Sequence, residues 1–292
     1  MTIMTDASWV NSIIAGDART CLNDLPDASI NCIITSPPYY QQRDYSTPLQ
    51  IGNEKQPDEY VRNLRIVFAE CRRVLRDDGI LWLNLGDKYD DAELLGMPWR
   101  VAFALKEDGW LLRSDIIWYK PNAVPSSVKN RPTTDHEYVF LFAKSKDYYY
   151  DIDAVREPHV TFSPESRMKG GRNHLNSTES GTPEQGKYAG ISNLHSGRWD
   201  RAFHPLGRNR RTVWEIPLSK SRDAHFAVFP EKLVEICVLA SCPQDGVVLD
   251  PFVGSGTTAI VAQRLGRNFV GIDSNSEYCE LARQRLHQPT LL

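Results

Sequence analysis

The chain has 292 residues, a formal net charge of −3, 41% hydrophobic residues and 24% charged residues. This composition is that of a soluble globular protein with one large α/β domain, or one domain that carries a sizeable insert. The sequence lacks an apolar run of about 18 residues and a basic-then-apolar leader, which excludes a helical membrane span and a secretory signal. We therefore expect a cytoplasmic protein with no membrane partner.

The six cysteines form no CxxC pair and do not cluster with histidine. This spacing indicates neither a zinc site nor a disulfide framework. We expect buried structural thiols and no bound metal.

The charge is unevenly distributed along the chain. Residues 156–222 contain 12 Lys and Arg against 6 Asp and Glu, a local charge of +6, so the remaining residues carry −9. Four of the seven histidines also lie in this basic block. A mildly acidic body with one basic insert suits an enzyme that acts on DNA, although a solvated surface loop has the same charge pattern.

In chain order, the first half alternates apolar strands with one long and one shorter helix. Hydrophobic spacing predicts strands at 12–15 and 30–34, a helix over 57–76 stopped by Asp77-Asp78-Gly79, a strand at 80–85, a helix over 98–107, and strands at 111–119 and 137–144. The pattern disappears from about 157 to 210, where glycine, serine, asparagine, proline and basic residues dominate. A segment of that length is better interpreted as a recognition insert than as a loop of a compact domain.

Regular structure returns in the last 80 residues or so. The pattern predicts helices over 229–241, 258–265 and 276–287, and strands at 246–249 and 269–273. Strands that are apolar throughout and alternate with helices predict an α/β fold with a doubly wound, mostly parallel sheet. We expect residues 1–156 and 211–292 to build one domain around a basic, loop-rich insert at 157–210.

Thr35-Ser36-Pro37-Pro38-Tyr39 directly follows the strand at 30–34. Two prolines forbid both helix and continued sheet, so the chain turns rigidly at the end of the strand and presents an aromatic ring. This loop is suited to hold a planar group. Pro37-Pro38-Tyr39-Tyr40 also fits the PPxY pattern of WW-domain ligands, but such ligands are exposed, whereas this segment ends a buried strand.

A second loop, Asp250-Pro251-Phe252-Val253-Gly254-Ser255-Gly256-Thr257-Thr258, follows the strand at 246–249 and enters a helix. Small residues and a helix N-terminus allow a ligand to approach the backbone. Asp273 closes the next strand, 19 residues after Gly254, where an acidic residue of a doubly wound sheet binds ribose hydroxyls. The two loops together indicate group transfer from a nucleoside cofactor to a planar amine.

The Ser-Pro-Pro-Tyr loop, the FxGxGT loop and the later aspartate resemble those of the DNA amino-methyltransferases that use S-adenosylmethionine. The order of the two loops is that of the circularly permuted β group. The resemblance covers roughly residues 10–150 and 210–288 and implies a Rossmann-like methyltransferase fold. Residues 157–210 match only by position, as the target-recognition region.

The resemblance implies a set of cofactor-binding residues beyond Asp273. Asp17, which follows Gly16, corresponds to the residue near the adenine of the cofactor, and Phe226, in the segment 225–230, helps to enclose the cofactor. The full set comprises Asp17, Thr35, Phe226, Asp250, Pro251, Phe252, Gly254, Ser255, Gly256, Thr257, Thr258 and Asp273.

The implied chemistry is direct transfer of the sulfonium methyl group to the exocyclic amine of a flipped base. We predict that Ser36 and Pro37 accept hydrogen bonds from that amine, that Pro38 stiffens the loop and that Tyr39 stacks on the base. Ser-Pro-Pro-Tyr is more associated with N4 of cytosine, and the Asp-Pro-Pro-Tyr version with N6 of adenine. Cytosine N4 is therefore favoured, adenine N6 is the alternative, and an amine of RNA or protein is a third.

The predicted partner is double-stranded DNA. Arg208, Arg210 and Arg211 form a basic cluster suited to phosphate, and Lys120 follows a strand near the expected position of the flipped base. A homodimer and a cognate restriction endonuclease are compatible partners. A DNA-binding protein with a degenerate methylase body is a non-enzymatic alternative, against which the intact motifs weigh.

Overall fold

The structure is a computed structural model that describes residues 8–44, 47, 50–159, 204–218 and 230–288. The described residues fall into two compact units. The smaller unit lies within Ile152–Arg210, and the larger unit comprises the described residues on both sides of it.

An eight-stranded sheet forms the centre of the larger unit. Its strand order is β1-β10-β9-β2-β3-β7-β6-β8, and every neighbouring pair is parallel except the two that involve β7. A short hairpin, β4 with β5, lies apart from it. The strands are β1 (Ser12–Ala15), β2 (Ile30–Thr35), β3 (Leu75–Leu85), β4 (Tyr89–Asp90), β5 (Glu93–Leu94), β6 (Leu111–Tyr119), β7 (His136–Ala143), β8 (Val213–Glu215), β9 (Val247–Asp250) and β10 (Asn268–Asp273).

Helices cover both faces of this sheet, as near-continuous apolar strands require. The α-helices of the described residues are α1 (Ala18–Cys21), α2 (Pro57–Val74), α3 (Met97–Glu107), α4 (Glu231–Ser241), α5 (Thr257–Arg264) and α6 (Ser276–His287). The first three pack into one large hydrophobic cluster, and α4, α5 and α6 pack against one another and the opposite face. The predicted doubly wound, mostly parallel α/β fold is confirmed. Among these helices none is long and apolar enough to cross a bilayer.

Most element boundaries differ from the prediction by one or two residues, and the start of β3 differs by more. The helix predicted over 57–76 ends at Val74, and the chain enters β3 at Leu75 without a turn. Asp77-Asp78-Gly79 lies inside the strand, where the pairing with β2 shifts register between Ile30 and Cys32. The acidic turn signal therefore marks an irregularity of the strand and not the end of the helix.

The cysteines are unpaired, as predicted, and five of them are buried, whereas Cys21 is half-buried.

The smaller unit contains a stem where the chain leaves and returns. Glu157 and Arg208 exchange backbone hydrogen bonds of 3.0 and 2.9 Å, and their side chains form an ion pair of 2.7 Å. Gly207 has a φ of 109°, and a Cβ atom there would lie 2.3 Å from the carbonyl oxygen of Glu157. Most of the predicted insert, residues 160–203, lies outside the described residues.

Candidate active site

The two predicted loops leave adjacent strands at the carboxyl edge of the sheet. β2 and β9 are parallel neighbours, with Ile33 opposite Leu249. The chain proceeds from β2 toward β3 on one side and from β9 toward β10 on the other. This reversal creates a crevice at the sheet edge, which is where doubly wound proteins bind ligands.

Asp250 connects the two loops. Its carboxylate accepts hydrogen bonds from Thr35 Oγ1 at 2.7 Å, from Thr258 Oγ1 at 2.6 Å and from the Phe252 amide at 3.0 Å. Asp250 is buried, and this burial raises its pKa to about 6 although the three donors act in the opposite direction. The side chain fixes the relative positions of the two loops.

The glycine loop has the conformation that its sequence requires. Gly254 and Gly256 have φ values of 49° and 89°, in the left-handed region. A Cβ atom on Gly256 would lie 2.8 Å from the Cβ of Ala282, so α6 needs glycine there, whereas a Cβ on Gly254 would meet nothing within 4 Å. The loop is therefore packed on its α6 side and open at Gly254, which suits a ligand that lies against the backbone.

Asp273 ends β10 beside this loop. Its carboxylate accepts hydrogen bonds from the Gly254 amide at 2.9 Å and the Asn275 amide at 2.8 Å. Burial raises the pKa of Asp273, and these two amides counteract the rise. Because each carboxylate oxygen can accept two hydrogen bonds, Asp273 can also accept hydrogen bonds from ribose hydroxyls.

Arg285 of α6 supports the glycine loop from the other side. Its Nη1 donates to the Ser255 carbonyl at 2.6 Å and to Ser255 Oγ at 3.0 Å. Burial lowers the pKa of this guanidinium. The loop is thus held between Asp273 and Arg285.

The Ser-Pro-Pro-Tyr loop rests on α2. Tyr60 of that helix donates a hydrogen bond of 2.9 Å to the Pro38 carbonyl, and its ring packs against Tyr40 with centroids 5.7 Å apart. The loop is rigid because of its prolines and because a buried helix supports it.

A partly buried polar network holds the side chains of this loop. The Tyr39 hydroxyl donates to Glu137 Oε2 at 2.6 Å and accepts from Asn84 Nδ2 at 2.6 Å. The same amide group lies 2.8 Å from Glu137 Oε2 and 3.3 Å from Ser36 Oγ, and Ser36 Oγ lies 3.2 Å from the Tyr39 hydroxyl. Glu137 is also ion-paired with Lys120.

This network fixes the ring and the protonation state of Tyr39. Burial and the adjacent Glu137 carboxylate raise the pKa of the phenol well above its usual value, so it remains a hydrogen-bond donor. The ring lies against Gly86, where a Cβ atom would lie 2.6 Å from Tyr39 Cε2. Glycine at position 86 is therefore required by the tyrosine.

A sequence model of a DNA methylase family matches residues 30–284. The chain is 40% identical to the Type II methyltransferase M.SmaI of Serratia marcescens, over 94% of this chain and 90% of that protein. It is also 40% identical to the Type II methyltransferase M.Cfr9I of Citrobacter freundii, over 94% and 87%. The chain belongs to the N6/N4 DNA methylase family. The predicted family, the methyltransferase class and the S-adenosylmethionine cofactor are thereby confirmed.

Solved structures show the same fold. PvuII DNA methyltransferase, described as cytosine-N4-specific, aligns with a TM-score of 0.68 at 21% identity, over 96% of this chain and 88% of that one. A DNA modification methylase from Thermus thermophilus, solved with S-adenosyl-L-methionine, aligns with a TM-score of 0.59 at 24% identity, over 95% of each chain. At these sequence identities the structural likeness shows the fold alone.

The methylase brings most of the predicted cofactor residues to one edge of its sheet. Pro251, Thr257 and the other loop residues lie after β9, and Ala15, at the end of β1, is paired with Asp273. Asp17 caps α1 and forms an ion pair of 2.6 Å with Arg19. Phe226 lies outside the described residues.

The predicted DNA-contacting residues have protein partners in the methylase. Lys120 is mostly buried and paired with Glu137, which favours a positioning role over a phosphate contact. Arg208 pairs with Glu157, and Arg210 Nε donates to the Val155 carbonyl at 3.1 Å. The Arg211 carbonyl accepts a bond of 2.7 Å from Trp214 Nε1. A phosphate contact by any of the four stays a prediction.

Sequence reasoning missed Asn84, Glu137 and Arg285. Asn84 is 1% exposed although asparagine is usually exposed, and its position inside an apolar strand was the available signal. Glu137 stands beside His136 at the start of β7, and two adjacent residues do not have the spacing of a metal site, so the sequence did not mark Glu137 as functional. Arg285 lies on a helix with many charged residues, so the sequence carried no signal for it.

Proposed function

We propose that this methylase transfers a methyl group from S-adenosylmethionine to the N4 amine of cytosine in double-stranded DNA. The observation that carries the proposal is the hydrogen-bonded cluster of Ser36 and Tyr39 with Asn84 of β3 and Glu137 of β7. Asp250 ties the loop that bears Ser36 and Tyr39 to the glycine loop. The cluster places polar acceptors and an aromatic ring beside the crevice that would hold the cofactor.

The fit of the cofactor rests on this structure. Gly254 leaves open space beside the backbone, and Asp273 retains acceptor capacity for the ribose. The glycine loop and the start of α5 offer backbone amides for the methionine carboxylate. When bound, S-adenosylmethionine supplies an electrophilic methyl group on a sulfonium.

The protein's role in the transfer is to orient and polarise the target amine. The lone pair of that nitrogen is delocalised into the ring, and acceptors that bind its two hydrogens pull it toward tetrahedral geometry. We assign this role to Ser36 Oγ and the Pro37 carbonyl. Transfer would form the N–C bond, leave the sulfur as the thioether of S-adenosylhomocysteine, and release one proton of the amine to solvent.

Glu137 provides a physical reason for serine at position 36. The cluster already contains one carboxylate, which contacts both Tyr39 and Asn84. An aspartate at position 36 would place a second negative charge in the same partly buried network, which is unfavourable. Ser36 accepts a hydrogen bond without that charge, which favours the cytosine version of the loop over the adenine version.

The test is mass spectrometry of nucleosides from unmethylated plasmid DNA after incubation with the protein and S-adenosylmethionine. We expect N4-methylcytosine as the product. Ser36→Ala should lower the rate of its formation about a hundredfold, because a contact made in the transition state is lost. Ser145→Ala, a substitution on an exposed turn outside the cluster, is the control. N6-methyladenine would refute the choice of base, and the absence of both products would redirect the search to RNA or protein amines.

Asp273 offers a separate test of the cofactor site. Asp273→Ala removes the acceptor for the ribose and for the Gly254 amide, so we expect affinity for S-adenosylmethionine to fall at least tenfold by calorimetry. The fold should persist in circular dichroism. Unchanged affinity would remove Asp273 from the site.

The remaining proposals concern partners. The basic insert at 157–210 is proposed to select the DNA sequence, and Arg208, Arg210 and Arg211 near its end are proposed to contact phosphate. The Type II relatives favour a cognate restriction endonuclease that acts on the same site. A homodimer is compatible with the structure.

A further inference from the structure

A second cavity lies on the edge of the sheet opposite the active site. It has a volume of about 730 Å³ and is lined by α2 from Arg62 to Arg73, by Asp27 and Ala28 before β2, by Asp108 and Trp110 before β6 and by Lys144 after β7. β2 and β6 begin at this edge and the antiparallel β7 ends there. The methyl-transfer chemistry, at the carboxyl ends of the parallel strands, does not use this cavity.

The lining is basic. It contains two carboxylates, Asp27 and Asp108, and five basic side chains: Arg62, Arg65, Arg72, Arg73 and Lys144. Arg65 is paired with Asp108, Arg73 with Asp27 and Glu70, and Lys144 with Asp77. Within the part of the chain that the structure describes, Arg62 and Arg72 have no ion-pair partner.

Two buried donors in this lining have no hydrogen-bond partner among the described residues. They are Arg72 Nε and Trp110 Nε1, and Trp110 is 2% exposed. The Arg72 guanidinium passes beside the residue before Trp110, since a Cβ atom on Gly109 would lie 3.8 Å from Arg72 Nη2. A buried donor without a partner costs about 1–3 kcal/mol, so a lining that contains two of them suits an acceptor from outside.

We propose that this cavity binds a small phosphate-bearing anion. Arg62, Arg72 and Trp110 supply only donors, and the two unpaired guanidiniums match the oxygens of a phosphate group. Ile66 and Ala69 provide an adjacent apolar surface on the same face of α2. The volume is that of a site for a small molecule.

Calorimetry on the full chain with inorganic pyrophosphate as the probe tests the proposal. We expect saturable binding that weakens with salt, and at least a tenfold loss of affinity in Arg72→Met and in Trp110→Phe, which keep the bulk of each side chain. Arg76→Met is the matched control, because Arg76 is exposed, paired with Asp78 and outside the cavity. It should bind as the original protein does.

Thermal unfolding separates a binding role from a structural role. Arg72→Met removes a buried donor without a partner, so the melting temperature without pyrophosphate should stay equal or rise, while the increase caused by pyrophosphate disappears. Both variants should methylate DNA as the original protein does. A failure of the anion-site proposal can therefore be told apart from a failure of the proposed function. A large loss of stability in both cavity variants would mean that the cluster serves the fold.

Three outcomes would overturn the proposal. The first is that the original protein shows no saturable binding, or that all variants bind pyrophosphate equally, which would place the anion elsewhere. The second is that a short DNA duplex competes with pyrophosphate, which would make the cavity part of the DNA surface. The third is that Arg72→Met converts a dimer into a monomer in sedimentation, which would make a second copy of the chain the partner of these cations.

Discussion

At the scale of single residues, the catalytic loop depends on partners that are distant in sequence. Tyr39 and Glu137 are 98 positions apart, and their oxygens are separated by 2.6 Å. Lys120 neutralises Glu137 from the other side. A tyrosine ring held at its hydroxyl and against Gly86 cannot rotate freely, which suits a residue that must meet a flipped base in one orientation.

Glu137→Gln tests this positioning role. The amide keeps the shape but loses the charge that binds both Tyr39 and Lys120, so we expect kcat to fall about ten- to a hundredfold. The affinity for S-adenosylmethionine should be unchanged, because the cluster contacts the loop of the target base. Single-turnover methylation and calorimetry make the comparison.

Glu280→Gln, a substitution on an exposed face of α6, is the control for that measurement. Equal loss of kcat and of cofactor affinity would contradict the assignment, because it would mean that the whole crevice had been disturbed.

Asp250 predicts a dependence of stability on pH. Burial raises its pKa from an ordinary 3.8 to about 6, so between these values the folded protein keeps a proton that the unfolded chain has lost. The stabilisation is complete below pH 3.8 and is lost as the pH rises through about 6. The difference corresponds to about 3 kcal/mol.

Chemical unfolding of the protein and of Asp250→Asn from about pH 4 to 7 checks this expectation. The free energy of unfolding of the protein, relative to that of the variant, should decrease across this interval. Asp245→Asn, the same substitution on an exposed turn, is the control. A constant difference for Asp250→Asn would refute the raised pKa.

At the scale of elements, the glycine loop is a segment held from two sides. Arg285→Met removes both hydrogen bonds to Ser255 while the aliphatic stem remains. We expect affinity for S-adenosylmethionine to fall about tenfold, because the loop loses its preorganised shape. Calorimetry measures the change.

Arg264→Met, which removes exposed ion pairs between α5 and α4, is the matched control for the loop. It should leave the affinity unaltered, since exposed ion pairs contribute little. If both variants bind alike, the loop holds its shape without Arg285.

Element boundaries were predictable where a local signal agreed with the packing. Apolar spacing predicts β2, the start of α2 and the helix that follows the glycine loop, α5. The end of α2 did not follow, because the acidic turn signal at 77–79 competes with the pairing of Leu75 to Ile30 on a distant strand. Tertiary pairing decided that boundary.

At the scale of the whole molecule, the stem at Glu157 and Arg208 shows where the insert can be removed. Replacing residues 160–203 with a short Gly-Ser linker leaves the paired backbone of both ends in place. We expect the shortened variant to bind S-adenosylmethionine as the original protein does and to lose the preference for one DNA sequence. Calorimetry and sequencing of methylated sites give the two readings, and a preserved preference would place recognition outside the insert.

The sequence by itself determined the alternation of strands and helices, the two loops and Asp273, because each depends on residues adjacent in the chain. Only the tertiary structure decided that Asn84, Glu137 and Lys120 surround Tyr39 and that Arg285 supports the glycine loop. β7 enters the sheet antiparallel between β3 and β6, and thereby brings Glu137 to the catalytic edge. Strand order depends on the free energy of the whole packed core, which local spacing does not encode.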